Sequence, residues 1–466
     1  MNLKNLHNVY FLGIGGIGMS AIARWFGHVG IPVKGYDKTP SPLTQQLVEE
    51  GIYVHYEDTL DTIPTEVKGH KSHTLIVWTP AMPADSVQLD YFRREGYLLK
   101  KRAEVLGSIT KDMFTIAVAG THGKTSTSSI ISHLLKSAGM NVTAFLGGIT
   151  QNYESNLILH DESRDEAPIV VVEADEYDRS FLQLHPNIAV VTSVDPDHLD
   201  IYGDHQELTR NFNAFIDLIH PEGHLLIQKN AFSALNRNNF GFSRVESYSL
   251  TSSSIHATNI RSGIRSFAFD YVKEDQFITD LTIHVPGFHN VENALAAVTV
   301  ALDLGIKESD IRDGLDSYKG VKRRFEIKHQ HHDRVYIDDY AHHPEEIKAF
   351  LGSVKAMYPD KKLTAVFQPH LFTRTRDFAR EFSSSLSLAD EVVLMEIYPA
   401  REKPIEGVNA AMLLGEITAV KKSVQKREDL MAYLETASPE VLVTIGAGDI
   451  DRMVEPITKW IKGYGN

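Results

Sequence analysis

The sequence predicts an α/β protein of three domains, each built on a mainly parallel sheet. At 466 residues the chain is too long for one hydrophobic core, and domains of roughly 100–200 residues divide it into two to four. Apolar, β-prone runs alternate with helical segments along its length, which favours parallel strands with right-handed crossovers. Glycine-containing turns follow a strand and precede a helix at two places, and such turns are typical of anion sites.

Composition excludes several functional classes. The apolar content of 42% and charged content of 23% are those of an ordinary globular protein. A formal charge of −14 disfavours nucleic acid or an anionic membrane as a partner. The absence of cysteine excludes disulfides, thiolate nucleophiles and Cys-ligated metals. No signal peptide and no apolar run of about 18–20 residues is visible, so we expect a cytoplasmic protein.

The first domain is expected at residues 1–110, with a Rossmann-like fold. A strand at 9–12 leads into a glycine-rich turn and a helix through about residue 28, and a second strand at 33–36 ends at Asp37. An acid about 20 positions after the glycines completes a dinucleotide-type fingerprint. The pattern predicts a diphosphate on the helix N-terminus without specifying whose diphosphate it is. The candidate binding residues are Gly13, Gly15, Gly16, Ile17, Gly18 and Asp37.

The central domain is expected at residues 111–320, as a P-loop-type ATPase with a mainly parallel sheet. The β-prone run 114–119 enters Gly120, Thr121, His122, Gly123, Lys124, Thr125 and Ser126. Lys124 can neutralise the outer phosphates of a nucleotide, and the Thr125 hydroxyl can ligate Mg²⁺. Only two residues separate the glycines, so the general P-loop pattern is met in its second half alone. The alternative is that Gly-Lys-Thr merely caps a helix.

Two further strands of the central domain end in candidate metal ligands. The run 169–172 delivers Glu173, and the run 188–192 leads to His198. Each residue has a structural alternative, as a surface carboxylate or as a loop histidine bound to backbone. Their position at strand ends beside a phosphate loop favours a metal site. Farther on, Asn290 and Asn293 lie three residues apart on one predicted helix face; capping would explain one of them, and ligand recognition both.

The third domain is expected at residues 321–466, again Rossmann-like. It begins in a cationic segment that contains Arg324. The strand at 334–337 ends near Asp339 and Tyr340, and the strand at 363–367 is followed by Thr-Arg-Thr-Arg at 373–376. Polar residues at these strand ends predict a further part of a ligand site.

The ordered set of motifs resembles the Mur ligases, the ATP-dependent amide-forming enzymes of peptidoglycan precursor synthesis. Each motif is weak alone, but together they cover essentially the whole chain. They lie at residues 13–20, 120–125, 173–176, 197–200, 289–293, 323–326 and 338–344. A lysine carried by the ligases of later steps is absent from 199–219, which favours the alanine-adding branch.

The resemblance implies specific roles. ATP would bind the phosphate loop together with Asn290, Asn293, Arg324 and Asp339, and Mg²⁺, with Mn²⁺ as an alternative, would bind Thr125, Glu173 and His198. Lys124, His198 and Arg324 would be the catalytic residues, with His198 a metal ligand first and a base second. The first-domain glycines would bind UDP-N-acetylmuramate. A Gly-His pair of the family is replaced here by Glu57-Asp58, so His55 is a substitute candidate. The L-alanine site would contain Tyr340, His342, His343, Arg374 and Arg376.

Three alternatives remain open at this stage. The closest is a recycling ligase that attaches a tripeptide to UDP-N-acetylmuramate. An NAD(P)-dependent oxidoreductase would explain the first fingerprint and Asp37, but not the second phosphate loop, Glu173 or His198. The third is a non-enzymatic ATP switch. The expected partners are small-molecule substrates, with neither nucleic acid nor membrane, and the chain is expected to be a monomer or a homodimer.

Overall fold

A computed structural model describes residues 5–83, 85–196, 202, 204–237, 239–242, 244–274, 276–331, 333–400 and 402–463. The chain forms two compact units. The first contains Met1–His256, Val272–Gln276 and Asn293–Gly314, and the second contains Ala257–Tyr271, Phe277–Glu292 and Leu315–Asn466. The predicted α/β architecture of three sheets with mostly parallel strands is confirmed. Among the described helices, none combines the length and apolar composition needed to cross a bilayer.

The first sheet is parallel throughout, in the order β3-β2-β1-β4-β5. Its strands are β1 (Asn8–Leu12), β2 (Val33–Tyr36), β3 (Tyr53–His55), β4 (Thr74–Trp78) and β5 (Leu98–Lys101). Its helices are α1 (Ile17–His28), α2 (Pro42–Glu49), α3 (Thr65–Gly69), α4 (Val87–Arg94) and α5 (Arg102–Thr110), with a 3₁₀ turn at Lys71–His73. All five residues of β1 are buried, as expected for a central parallel strand. The glycine-rich turn therefore begins at the carboxyl end of the middle strand.

The central sheet contributes seven strands to the first unit, in the order β12-β11-β10-β6-β9-β7-β8. They are β6 (Thr115–Ala119), β7 (Val142–Thr150), β8 (Ser155–Ile158), β9 (Ile169–Ala174), β10 (Ile188–Val191), β11 (His224–Gln228) and β12 (Arg244–Ser249). The helices are α6 (Lys124–Ser137), α7 (His205–Ile216) and α8 (Lys229–Leu235), with a 3₁₀ segment at Tyr177–Gln183. Only β7 and β8 pair antiparallel among these seven. Helix α6 begins at Lys124, so Lys124 and Thr125 lie in its first turn.

Three strands and two helices follow before the last sheet. Strands β13 (Ile255–Ser262), β14 (Phe267–Lys273) and β15 (Gln276–Ile283) are consecutive neighbours. Helices α9 (Phe288–Asp303) and α10 (Glu308–Ser317) come next. The sequence places Asn290 and Asn293 on the same helix, and the structure agrees.

The last sheet, in the second unit, has the order β16-β17-β21-β18-β19-β20, and only β16 runs antiparallel. Its strands are β16 (Glu326–Gln330), β17 (Val335–Asp339), β18 (Leu363–Phe367), β19 (Glu391–Leu394), β20 (Lys421–Val424) and β21 (Val441–Ile445). Its helices are α11 (Pro344–Met357), α12 (Phe372–Asp377), α13 (Ala379–Leu386), α14 (Arg427–Ala437) and α15 (Asp451–Gly463), with a 3₁₀ segment at Ala410–Gly415. The carboxyl ends of β17 and β18, which are both neighbours of β21, carry the predicted third-domain residues.

Candidate active site

The phosphate loop joins β6 to α6, and its conformation requires both glycines. Gly120 has φ +144° and Gly123 has φ +78°, and L side chains rarely adopt either value. A Cβ on Gly120 would lie 2.0 Å from Thr192 Oγ1, and one on Gly123 would lie 3.0 Å from Asn293 Oδ1. The loop thus turns tightly and directs the N-terminus of α6 outward, where backbone N–H groups and the helix dipole attract anions.

The segment after β10 fixes the loop by hydrogen bonds that the sequence did not predict. The His122 N–H donates to Ser193 Oγ (2.7 Å) and the Thr121 N–H to the Ser193 carbonyl (3.2 Å). The Thr192 hydroxyl donates to the carbonyls of Ala119 and His122. Strands β6 and β10 are parallel neighbours, so these hydroxyls follow from the sheet order. The only sequence signal was a Thr-Ser pair after an apolar run.

Lys124 forms an ion pair with a buried carboxylate. Its Nζ lies 2.8 Å from Glu176 Oε2 and donates to the Gly120 carbonyl (2.6 Å). The side chain of Glu176 has no exposed surface. Burial works to lower the pKa of the Lys124 ammonium, but the carboxylates of Glu176, Asp175 and Glu173 raise it above its ordinary value. Lys124 is therefore a permanent cation at the loop, as phosphate neutralisation requires. Glu176 belongs to a motif that the sequence identified, but its ion pair was missed.

Glu173 ends β9, the strand beside β6, with its Cα in register with Val118. Its Oε2 accepts the Gly147 N–H (2.9 Å), which fixes the carboxylate and leaves Oε1 as a ligand atom. Thr125 is buried in the first turn of α6, and Ser126 is partly exposed in the same turn. A carboxylate and a hydroxyl are hard oxygen donors suited to Mg²⁺. His198, the third predicted ligand, lies outside the described residues.

The glycine-rich turn of the first sheet has the predicted strand–turn–helix geometry. Gly16 is the N-cap of α1, and Gly13 has φ +87°. Asp37 Oδ2 accepts the Gly15 N–H (2.7 Å), and a Cβ on Gly15 would lie 2.8 Å from that oxygen. Asp37 therefore braces the turn through one carboxylate oxygen, and its other oxygen accepts the Thr39 N–H.

His55 has a structural partner instead of an open position. Its side chain is buried, and Nε2 lies 2.6 Å from the hydroxyl of Tyr10 in the middle of β1. Burial also lowers the pKa of His55, so its charged form is disfavoured. The structure therefore favours a core role for His55 over the diphosphate contact that the sequence suggested, because the ring is buried against Tyr10 of β1.

One cleft of about 240 Å³ in the first unit brings the glycine-rich turn and the carboxyl end of β9 together. It is lined by residues of the glycine-rich turn, of β7 and of the carboxyl end of β9, among them Gly16, Ile17, Gly18, Arg102, Gly147, Glu173 and Asp175. Arg102 was not singled out from the sequence. It donates to Asp175 (2.9 Å), and a Cβ on Gly18 would lie 2.7 Å from its Nη1. A guanidinium beside the N-terminus of α1 adds positive charge where an anionic substrate would bind.

Two of the predicted residues of the second unit, Arg324 and His342, lie beside Tyr340. The guanidinium carbons of Arg323 and Arg324 lie 5.3 and 5.0 Å from its ring centre. Asp339 is buried and accepts the N–H groups of Phe325 (2.6 Å) and Ala341 (2.7 Å). Burial raises the pKa of Asp339 to about 6, against the opposing charge of Arg324. Asp339 thus shapes the segment that presents Arg324.

The two adjacent histidines differ in environment. His343 is buried, and its ring packs on Phe378 at 5.0 Å between ring centres. His342 is partly exposed, and its ring Nδ1 lies 3.1 Å from the Tyr340 carbonyl. Its backbone N–H donates to the Glu346 carboxylate (2.9 Å). His342 is therefore the better candidate for substrate contact. Glu346, at the third position of α11, was missed, although an acid at N3 is a capping signal.

Arg374 and Arg376 also differ in their exposure to solvent. Arg374 is 6% exposed within α12, whereas the side chain of Arg376 is 50% exposed and its Nε donates to the adjacent Asp377 (2.7 Å). The structure therefore disfavours Arg376 as a ligand for a carboxylate. In the Asn pair, the Asn290 amide donates to the Pro286 carbonyl (2.7 Å), a local bond at the start of α9, while Asn293 lies beside Gly123 of the phosphate loop.

Comparison with known proteins agrees with this geometry. Three family models match in order: Mur ligase family, catalytic domain at 8–113; Mur ligase middle domain at 118–301; and Mur ligase, glutamate ligase domain at 323–448. The chain belongs to the Mur ligase family. A Mur ligase relative from Flavobacterium psychrophilum, named UDP-N-acetylmuramate–L-alanine ligase, is 48% identical over 98% of this chain and 99% of its own. A relative of the same name from Cytophaga hutchinsonii is 47% identical over 98% and 97%.

Solved Mur ligase structures show the same architecture. The UDP-N-acetylmuramate–alanine ligase of Thermotoga maritima has a TM-score of 0.81 at 25% identity, covering 98% of this chain and 99% of that one. A murein peptide ligase from Psychrobacter arcticus has a TM-score of 0.69 at 21% identity, covering 97% and 98%. The similarity to the murein peptide ligase shows a shared fold alone.

Proposed function

We propose that this chain joins L-alanine to the lactyl carboxylate of UDP-N-acetylmuramate, with ATP converted to ADP and phosphate. The observation that carries the proposal is the cleft in which the glycine-rich turn, Arg102 and Glu173 meet. A sugar diphosphate on the N-terminus of α1 would extend toward the end of β9, next to the strand that enters the phosphate loop. Full-length similarity to alanine-adding ligases supports the same substrates.

The reaction needs activation of the carboxylate, because a carboxylate is a poor electrophile. One lactyl oxygen attacks the γ-phosphorus of ATP, ADP leaves, and an acyl phosphate forms. The amine of L-alanine then attacks the acyl carbon, an amine proton is lost to a base, and the C–O bond to phosphate breaks. Both steps crowd anionic oxygens together, so the protein contributes chiefly positioning and neutralisation of charge.

Individual residues have separate tasks in this scheme. Lys124 and the N-terminus of α6 neutralise the transferred phosphoryl group, and the family resemblance assigns Arg324 a catalytic role as a further cation. Arg374 pairs with the carboxylate of alanine, and His342, beside Tyr340, is the histidine assigned to the amino-acid site. Thr125 and Glu173 would hold Mg²⁺, which supplies Lewis-acid neutralisation of the phosphates when bound. The base that accepts the amine proton is unassigned among the described residues.

Phosphate release with UDP-N-acetylmuramate and ATP tests the proposal, with L-alanine, glycine, L-serine and the tripeptide L-Ala-γ-D-Glu-meso-diaminopimelate compared as acceptors. L-Alanine is expected to give the highest kcat/KM. Preference for the tripeptide would indicate the recycling ligase instead. A substrate labelled with ¹⁸O in its lactyl carboxylate should pass one ¹⁸O to the released phosphate, and unlabelled phosphate would exclude the acyl phosphate.

A further inference from the structure

A buried amide on β8 connects the central sheet to the helix that follows the glycine-rich turn. The side chain of Asn156 is 0% exposed. Its Nδ2 donates to the Ile17 carbonyl (2.5 Å) and to Ser20 Oγ (3.0 Å), and its Oδ1 accepts from Arg24 Nη1 (2.5 Å). All three partners lie on α1. The side chain of a central-domain residue is therefore satisfied entirely by a first-domain helix.

The orientation of this amide is fixed by the chemistry of its partners. A carbonyl can only accept and a guanidinium can only donate, so the amide nitrogen must face Ile17 and the oxygen must face Arg24. Arg24 is itself held by two bonds to Glu50, from Nε (2.6 Å) and Nη2 (2.9 Å). Buried, fully satisfied networks of this kind allow little freedom of movement.

The hairpin that carries Asn156 also holds the predicted magnesium ligand. Strand β8 pairs with β7 through Ala144–Ile158 and Phe145–Leu157, and the Gly147 N–H on β7 donates to Glu173 Oε2 (2.9 Å). The β7–β8 hairpin therefore forms hydrogen bonds to α1 through Asn156 on one strand and to Glu173 through Gly147 on the other. Gly147 and the first turn of α1 line the same cleft.

We propose that Asn156 is a positioning residue that sets the distance between the first turn of α1 and Glu173. The identity of the bound anion rests on the proposed function, whereas the positioning itself does not. Anchoring the helix at Ile17, its first residue, fixes the backbone N–H groups that would bind the sugar diphosphate. A shift of about 1 Å at such a site is costly for a reaction that depends on alignment.

Asn156→Ala tests the proposal by steady-state kinetics. The KM for UDP-N-acetylmuramate should rise by about tenfold or more, as expected when buried partners are left unpaired, while the KM for ATP stays unchanged. Asn156→Asp keeps an acceptor for Arg24 but turns a second oxygen toward the Ile17 carbonyl, so it should raise the same KM.

Asn141→Ala is the matched control. Asn141 is also buried, at the start of the same hairpin, and its amide bonds to Asp161 and Glu166 instead of α1. It should lower the melting temperature by a similar amount without changing either KM. An unchanged sugar-nucleotide KM in Asn156→Ala, or an equal rise in Asn141→Ala, would overturn the proposal.

Hydrogen exchange separates failure of this proposal from failure of the proposed function. In ligand-free protein, amides of residues 17–24 should exchange faster in Asn156→Ala than in Asn141→Ala or wild type. Ser20→Ala, which removes one acceptor of the Asn156 amide and one donor to the Ile17 carbonyl, gives a milder variant if Asn156→Ala does not fold. Faster exchange without any turnover in the wild type would reject the function and keep the positioning role, whereas equal exchange would reject the positioning role.

Discussion

The ammonium of Lys124 lies 2.8 Å from the carboxylate of Glu176, and that carboxylate is fully buried. The pair links the phosphate loop to the segment that follows β9, and β9 itself carries Glu173. A buried ion pair contributes little net stability, but breaking one member of it is strongly destabilising. The pair therefore acts chiefly to keep a cation in a defined position beside the nucleotide site.

Replacing Lys124 should reduce the rate of the chemical step more than substrate binding. Lys124→Met alone removes the ammonium beside the buried Glu176 carboxylate and should cost about 3–5 kcal/mol of stability, so Lys124→Met/Glu176→Gln is the informative variant. Its kcat for phosphate release should fall by roughly 10²–10³-fold, as for loss of one preorganised donor, with little change in the KM for the sugar nucleotide. Normal turnover in a folded double variant would refute the role of Lys124.

Gly120→Ala should abolish nucleotide binding. Its Cβ would lie 2.0 Å from Thr192 Oγ1 at a φ of +144°, so the loop must move. Gly139→Ala is the control, because Gly139 also has a positive φ (+82°) but no atom within 4 Å of an added Cβ. It should lose only about 1–2 kcal/mol of stability, the cost of left-handed backbone. Titration of both variants with ADP, followed by calorimetry, checks the contrast.

Glu173→Gln should increase the Mg²⁺ concentration needed for half-maximal rate. A neutral amide is a weaker ligand than a carboxylate, and loss of even an outer-shell partner costs about 10–100-fold in metal affinity or activity. Glu166 is an exposed glutamate in the loop that precedes β9, so Glu166→Gln should leave the Mg²⁺ dependence unchanged. Equal Mg²⁺ curves for Glu173→Gln and wild type would remove Glu173 from the metal site.

Arg374→Lys should raise the KM for L-alanine by about 10–100-fold, because a charge-assisted hydrogen bond contributes about 1.5–3 kcal/mol. Arg376→Lys should have no such effect, since Arg376 is half exposed and paired with Asp377. The KM for ATP measured in parallel shows whether the change is confined to the amino-acid site. A larger rise in the KM for L-alanine in Arg376→Lys than in Arg374→Lys would instead assign Arg376 to the amino-acid site.

His133, on α6, should make stability depend on pH. Burial lowers the pKa of His133 to about 4, from an ordinary value of 6.5. The unfolded chain therefore binds a proton between these values when the folded protein does not, and stability falls as pH drops from 6.5 to 4, by at most about 3 kcal/mol. Denaturant titrations of His133→Gln should show a shallower loss over this range. His185→Gln, at an exposed site, should follow the wild type.

The sequence by itself determined the architecture and the family. Alternating apolar runs and strand–glycine–helix patterns are local, so the parallel sheets and the loop at 120–125 could be read directly. The motif set also identified Lys124, Glu173 and the third-domain residues as a group. Sequence could not separate His342 from His343 or Arg374 from Arg376, because neighbouring residues differ in which way they face only after packing.

Tertiary structure alone decided the partners of these residues. Asn156 meets Ile17 across 139 positions of sequence because β8 packs against α1, and Lys124 meets Glu176 across 52 because the sheet order places β9 beside β6. The same order turned His55 toward Tyr10 and placed Ser193 against the phosphate loop. Sequence patterns state which groups a chain carries along each strand, whereas contacts between strands depend on a topology that no local pattern contains.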